Sequence, residues 1–372
     1  MRIDQVIPSL ASRDAIGAHT LALTDALRAR GVDSDIYYGT CTDDVLDRAR
    51  PLAGLGRPCS DRALLYQASI GDPLFEVFVE RPETKMVNYH NITPVELFAW
   101  WEPSVAYELS LGRSQLLRLA PRCQLAVADS AYNEAELVEA GFARTAVSPL
   151  LIEPRPAAPD PAVAARLRGL KADGSPDFLF VGKVAPHKAQ HDLVKMLAVY
   201  RRLYHPGARL HLVGLPVGTT YGPALDAFIA ELDLDDAVSV GPASAAELEA
   251  YYQAADAFVC ASEHEGFCVP IIEAMAHDVP VVAYGATAVP ETVAGAGLLL
   301  DAKAPLAFAA TVHRVVSDER LRARLVSAGA RRAGDFALPV TRARFVDVLV
   351  GALEGPGAGA TAAGTTAGTG GG

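Results

Sequence analysis

Two doubly wound α/β domains of the Rossmann type, facing across a cleft, are what this sequence predicts. Three observations carry that expectation. Residues 3–38 run strand, glycine-containing loop, helix, strand. The same order restarts at Phe178, after a proline-rich stretch. It recurs at 257–283, where an apolar run breaks into a polar turn, becomes a helix and returns to a strand. In such folds ligands sit at the C-terminal ends of the strands.

The first strand is Ile3 to Ile7, followed by a polar loop from Ser9 to Gly17. The helix His19 to Arg30 has apolar spacing at Leu21, Leu23, Ala26 and Leu27 and stops at Gly31. Asp35 to Tyr38, Leu64 to Ile70, Lys85 to Tyr89 and Leu125 to Asp129 read as further strands. Trp100 and Trp101 are neighbours on a helical stretch, where side chains diverge by about 100°, so one can be core while the other is exposed at a cleft; an acceptor-binding aromatic is one reading, and core packing is the favoured one. Val105 to Leu119 is helical, and Ser130 suits the N-cap of the next helix.

Pro149, Pro154, Pro156, Pro159 and Pro161 mark an interdomain linker. The expected division is 1–150 for the first domain, 151–176 for the linker and 177–335 for the second domain. A helix at 336–353 crosses back to the first. The Gly/Ala/Thr tail at 354–372 cannot bury a core and is expected to be disordered.

Composition narrows the function classes. The chain has 372 residues, 51% of them hydrophobic, and a net charge of −11. Acidic residues outnumber basic ones in both halves, which argues against nucleic acid as a partner and against general attraction to anionic lipid. Cys41, Cys59, Cys123, Cys260 and Cys268 are scattered and odd in number, and read as free thiols in a reducing compartment. The N-terminus has too short an apolar run for a signal peptide, and no stretch reaches a membrane span. A cytoplasmic location is expected, with peripheral association at the inner membrane face left open.

Two loops carry the chemistry. In the stretch 258–283, Pro270 fits the first turn of a helix whose apolar side is Ile271, Ile272, Met275 and Ala276. The N-terminus of such a helix offers unpaired N–H groups and the positive end of its dipole to a phosphate. Glu265 and Glu273 bracket it, and each carboxylate can accept from two hydroxyls. Phosphate-binding amides between two hydroxyl acceptors describe a site for a nucleotide sugar. The second loop is V-G-K-V-A-P-H-K-A-Q, 181–190. Lysine is scarce here, yet Lys183 and Lys188 both fall in this loop, after the first strand of a βα unit. A lysine ammonium is a compact charge suited to a diphosphate.

E-G-F-x-V-P-x-x-E-A-M-A, from Glu265 to Ala276, resembles the signature of family 4 retaining glycosyltransferases, which have the GT-B fold. Two further stretches are similar to that family. Lys183 stands where arginine is usual in V-G-R-x…K-G, and Ala189 where glycine is usual. Y-H-N-I-T-P, Tyr89 to Pro94, resembles a motif of bacterial members in which the histidine lies near the donor sugar. Cys268 also departs from the family, which often has glycine there. Cysteine serves if only a backbone amide is needed, and is strained if φ must be positive.

The resemblance implies the following roles. The 1–150 domain takes the acceptor and the 177–335 domain the nucleotide sugar, GDP- or UDP-linked. Gly17 lets the donor phosphate approach the first domain. Lys183, Lys188 and the amides around Gly266, Phe267, Cys268 and Val269 stabilise the departing diphosphate. Glu265 holds the sugar hydroxyls, Glu273 the ribose hydroxyls, and His90 contacts sugar or phosphate from the opposite domain. Reaction occurs on the front face with no protein nucleophile. No Asp-x-Asp metal motif is expected in the chain, so neither an essential metal nor a cofactor is expected. The acceptor is a saccharide, a glycolipid or lipid-linked species, or a small natural product. Other readings are a GT-B sugar-nucleotide epimerase, a non-catalytic binding subunit of a synthase complex, and a scaffold that binds no donor.

Overall fold

The computed structural model describes residues 1–12, 14–152 and 158–354. Part of the expected linker and all of the tail from 355 lie outside these residues. Among the described residues, thirteen strands form two sheets, and every pairing in them is parallel. The first sheet holds β1 (Arg2–Leu10), β2 (Ile36–Cys41), β3 (Arg50–Pro51), β4 (Arg62–Ala68), β5 (Thr84–Tyr89), β6 (Leu125–Ala128) and β7 (Thr145–Val147), in the order β3-β2-β1-β4-β5-β6-β7. The second holds β8 (Asp177–Val181), β9 (Arg209–Val213), β10 (Val238–Gly241), β11 (Ala257–Cys260), β12 (Val281–Tyr284) and β13 (Leu298–Leu300), in the order β10-β9-β8-β11-β12-β13. Strand order reverses between β1 and β4 and again between β8 and β11. Those are the switch points where doubly wound sheets open a crevice for ligands.

Central strands are buried on both faces, and their residues are correspondingly apolar; Phe178, Leu179, Phe258 and Val259 have no exposure. Helix ends follow their cap residues. Ser130 accepts from the Asn133 N–H at 3.2 Å and starts the helix Ala131–Glu139. Gly31 (φ 81°) and Gly141 (φ 93°) stop helices in the left-handed region. The helix Pro161–Leu170 packs on the helix Ala245–Ala254 of the second sheet's layer, and the Asp160 N–H donates to the Ala246 carbonyl at 2.8 Å. The last helix, Leu338–Leu353, lies on the first domain; Phe345, Val346 and Leu349 share a core with Ile3, Leu23 and Leu27.

Two local expectations are corrected. The first helix is Ala15–Ala29, so it starts inside the stretch read as a polar loop and carries Gly17 in its first turn. A Cβ on Gly17 would lie 2.0 Å from the Ala11 carbonyl oxygen, so this glycine is required by a close backbone approach rather than by a turn. Trp100 and Trp101 are not core residues. The helix begins only at Pro103, the turn before it faces outward, and Trp100 is 92% exposed. Trp101 rests edge-on against Tyr221 with ring centres 5.4 Å apart.

Candidate donor-sugar site

At the C-terminal edge of the second sheet, the loop after β8 meets the loop after β11. Lys188 donates to Glu265 Oε1 at 2.7 Å, joining the two loops across the switch point. Burial lowers the Lys188 pKa, but the Glu265 carboxylate outweighs it and the ammonium is held above its usual range. Thr287 clamps Glu265 from the next loop: its hydroxyl accepts from the Glu265 N–H and donates to the Glu265 carbonyl, both at 2.9 Å. The helix Val269–Ala276 follows, and the amides of Phe267, Cys268 and Val269 stand at its N-terminus, where N–H groups lack partners within a helix. The Phe267 ring turns away and packs edge-on against Phe336. Glu273 lies one turn into that helix, and the Tyr252 hydroxyl donates to its Oε2 at 2.8 Å. Burial raises the Glu273 pKa.

Both glycine departures fall where a glycine would be easiest. Ala189 has φ 49° and ψ 41°, and Cys268 φ 69° and ψ 65°. Each is the left-handed residue that turns the chain into a helix at the switch point. A side chain there costs about 1 kcal/mol or more.

Lys183 is placed differently. Its side chain is 65% exposed, and its ammonium lies 3.6 Å from Asp14 of the first domain, across the cleft.

The first sheet presents another kind of edge. His90 Nδ1 is 2.9 Å from Asp129 Oδ2, and its Nε2 is 2.6 Å from Gln67 Oε1. The His90 side chain is 1% exposed. Gln67 donates to Gln5, and Gln5 to Thr24, so the network crosses three strands to the first helix. Asn88 lies 2.9 Å from His19 Nε2, and the Leu151 N–H donates to His19 Nδ1 at 3.0 Å. Burial pushes the His19 pKa well down, keeping the ring neutral. In this arrangement the His90 ring offers the cleft no free nitrogen. What reaches the cleft is the 90–91 backbone: a Cβ on Gly266 would lie 2.6 Å from Asn91 Cβ and 3.2 Å from the His90 carbonyl oxygen.

The two edges are closed on each other, and two carboxylates hold them by capping helices of the opposite domain. Glu102 of the first domain accepts from Thr219, Thr220 and Tyr221 N–H groups at 3.0, 2.7 and 3.0 Å, at the start of the helix Tyr221–Glu231. Glu291 of the second accepts from the Ala131 N–H at 2.8 and 3.1 Å, at the start of Ala131–Glu139. Such carboxylates complement the helix dipole. His264 lies edge-on to Tyr132 across the same seam, and burial holds its pKa down to about 4.

Sequence reasoning missed Thr287, Tyr252, Glu102 and Glu291 as positioning groups. V-P-E-T, Val289 to Thr292, resembles the family's G-x-x-E segment, which marks Glu291 without revealing the helix it caps. Glu102 before Pro103 reads as an ordinary helix start. Two Asp-x-Asp triplets exist, Asp33–Asp35 and Asp233–Asp235. They precede β2 and β10, at the N-terminal edges of the sheets and away from both loops. A different cluster does have metal-ligand character: ligand atoms of Cys260, Glu265 and Cys268 lie within 4.8 Å of one another.

Residues 165–332 match the family model described as "Glycosyl transferases group 1". The chain is 32% identical over 265 residues to a D-inositol 3-phosphate glycosyltransferase of Kineococcus radiotolerans, covering 66% of this chain and 60% of that one. It is 34% identical over 254 residues to the protein of the same name from Geodermatophilus obscurus, covering 65% and 54%. Thus the match spans no more than three-fifths of these relatives. Among solved structures, Anabaena HepE in complex with UDP-glucose superposes with a TM-score of 0.75 at 18% identity, covering 94% of this chain and all of that one. Sucrose-phosphate synthase from Thermosynechococcus elongatus gives 0.73 at 18%, covering 95% and 99%. The sheet orders and these superpositions establish the GT-B fold, and the segment 165–332 is similar to the group 1 glycosyltransferases.

Proposed function

We propose that this protein is a retaining, metal-independent glycosyltransferase that moves a sugar from a nucleoside diphosphate sugar to a hydroxyl acceptor. The observation that carries the reading is the meeting of Lys188 and Glu265 at the switch point, beside a helix N-terminus with Glu273 one turn inside. Breaking the glycosidic bond leaves positive charge on the sugar ring and negative charge on the diphosphate. Groups placed in advance for those charges act most strongly in the transition state. Lys188 and the amides from Gly266 to Val269 face the leaving diphosphate, with Lys183 joining from the cleft mouth. Glu265 takes the sugar hydroxyls and supports the ring's charge. Glu273, oriented by Tyr252, takes the ribose. Gly17 lets the Ala11 loop approach the phosphates, and the network beneath His90 shapes the opposing wall.

The HepE complex holds UDP-glucose, so a UDP-sugar is the first donor to test. The relatives' names make a phosphorylated cyclitol the first small acceptor beside saccharide and lipid-linked ones. Closure across the Glu102 and Glu291 caps excludes water from the reacting centre.

The test is calorimetric binding of a panel of UDP- and GDP-sugars without added metal, for the native protein, Lys188→Ala and Glu273→Ala. One donor should bind the native protein and bind both variants at least tenfold more weakly. Turnover with that donor should give a product of the donor's anomeric configuration by proton NMR. Absence of binding by every donor sinks the reading; an inverted product removes its retaining part.

A further inference from the structure

We propose that Cys260, Cys268 and Glu265 form a binding site for a thiophilic divalent cation of the zinc class, and that this cation competes with the nucleotide-sugar donor. The competition rests on the function proposed above; the cation site does not.

Three observations support it. The first is chemistry at short range. The two sulfurs and a Glu265 oxygen lie within 4.8 Å of one another. Two ligands of a tetrahedral zinc ion are ~3.7 Å apart when each is ~2.3 Å from the metal, so small side-chain rotations complete the site. Two thiolates and one carboxylate suit a soft or borderline ion and not Mg²⁺ or Ca²⁺.

The second is what surrounds the three ligands. Cys260 is fully buried, Cys268 is 7% exposed and Glu265 is 8% exposed. Lys188 sits on Glu265 at 2.7 Å, and the Cys260 thiol donates to Ser262 Oγ at 3.3 Å. Outer contacts of this kind orient ligands. The ion displaces one proton from each thiol, M²⁺ + 2 RSH giving M(SR)₂ and two H⁺. The two thiolates, the Glu265 carboxylate, the Lys188 ammonium and the ion then sum to zero charge, which a buried position requires.

The third is backbone. Cys268 is held at φ 69°, where a side chain is unfavourable and glycine would relieve the strain. That conformation aims its thiol back at the end of β11, where Cys260 lies. A strained residue whose side chain completes a ligand set points from geometry to function. Because Glu265 also serves the donor sugar, an ion held there removes a donor contact and fixes the loop.

The test is titration of the full chain with Cd²⁺ and Zn²⁺ in a phosphine reductant, following the ultraviolet sulfur-to-metal charge-transfer band of Cd²⁺. One ion per chain should bind, the band should vanish in Cys260→Ala and Cys268→Gly, and it should persist in Cys59→Ser. Cys268→Gly relieves strain, so loss of the band there is not loss of folding. Glu265→Gln should keep the band and weaken binding at least tenfold. No band, or a band that survives Cys268→Gly, overturns the site. UDP-glucose should weaken Cd²⁺ binding at least tenfold. If UDP-glucose binds without doing so, the competition is overturned. If no UDP- or GDP-sugar binds while the band behaves as stated, the cation site stands and the donor assignment falls.

Discussion

At the C-terminal edge of the first sheet, Gln5, Gln67, Asn88, His90 and Asp129 are bonded largely to one another. At the same edge of the second sheet, Lys188 and Glu265 face each other across two loops that turn on left-handed, non-glycine residues. Both sheets share the same order around the switch point, so topology does not account for the difference. A self-bonded network fixes shape, because each partner is already committed and the low dielectric strengthens every bond. A charged pair beside a helix N-terminus has partners that a phosphate or a hydroxyl can replace. On the proposed function, one edge forms a wall and the other the donor site.

That contrast gives its largest test in a pair of substitutions. Lys188→Ala leaves the Glu265 carboxylate without its counter-ion and should weaken donor binding ~100-fold, about 3 kcal/mol. Calorimetry reads this, and Lys188→Arg should recover part of it. His90→Ala should instead lower stability by about 2–4 kcal/mol in urea unfolding, through a broken buried network, with donor affinity within tenfold of native. A collapse of affinity without a loss of stability would show that His90 touches the donor.

Acidity tests the seam between the two edges. His264 has a folded-state pKa of about 4, below its unfolded value near 6.5, because burial disfavours the imidazolium. The unfolded chain therefore binds more protons in that interval. Stability should fall as pH drops from 6.5 towards 4, by up to about 3 kcal/mol from this residue. His19 and His187 are shifted in the same direction by burial and should add to the fall. Thermal melts across that range check it, and His264→Phe should flatten the profile.

Smaller effects sharpen the picture. Glu102→Ala removes three cross-domain cap bonds and should cost about 1–2 kcal/mol; small-angle scattering should show a larger radius of gyration in the absence of donor. An unchanged radius would mean that the remaining contacts suffice for closure. Ala189→Gly should stabilise by about 1 kcal/mol, since only the left-handed strain is relieved. Destabilisation there would mean that the methyl's core packing outweighs the strain.

Much of this arrangement was readable along the chain. Pro270 and the spacing of Ile271, Ile272 and Met275 announce the site helix, and it forms over Val269–Ala276. Ser130 caps as its residue type suggests. Cys268 was open between two backbone states, because residue type gives a preference and not an angle. The apolar identity of Trp100 and Trp101 suggests a core, but the helix starts only at Pro103 behind them and leaves Trp100 exposed. The capping role of Glu102, the capping partner of Glu291 and the Cys260–Cys268 pair are out of reach of the sequence for a different reason. Their partners come from other loops or the other domain, and no periodicity links residues brought together only by folding.

By itself, then, the order of residues determined the alternation of strands and helices, the two parallel sheets they build, and the loops where Lys188, Glu265 and Glu273 stand. These follow from local spacing, caps and turn residues, which act over a few positions. Tertiary structure alone decided that His90 is locked into a buried network, that Gly17 and Gly266 are needed for close approach, and that each domain caps a helix of the other. Those outcomes depend on distances between segments far apart in the chain, and packing sets such distances only once both sheets are complete.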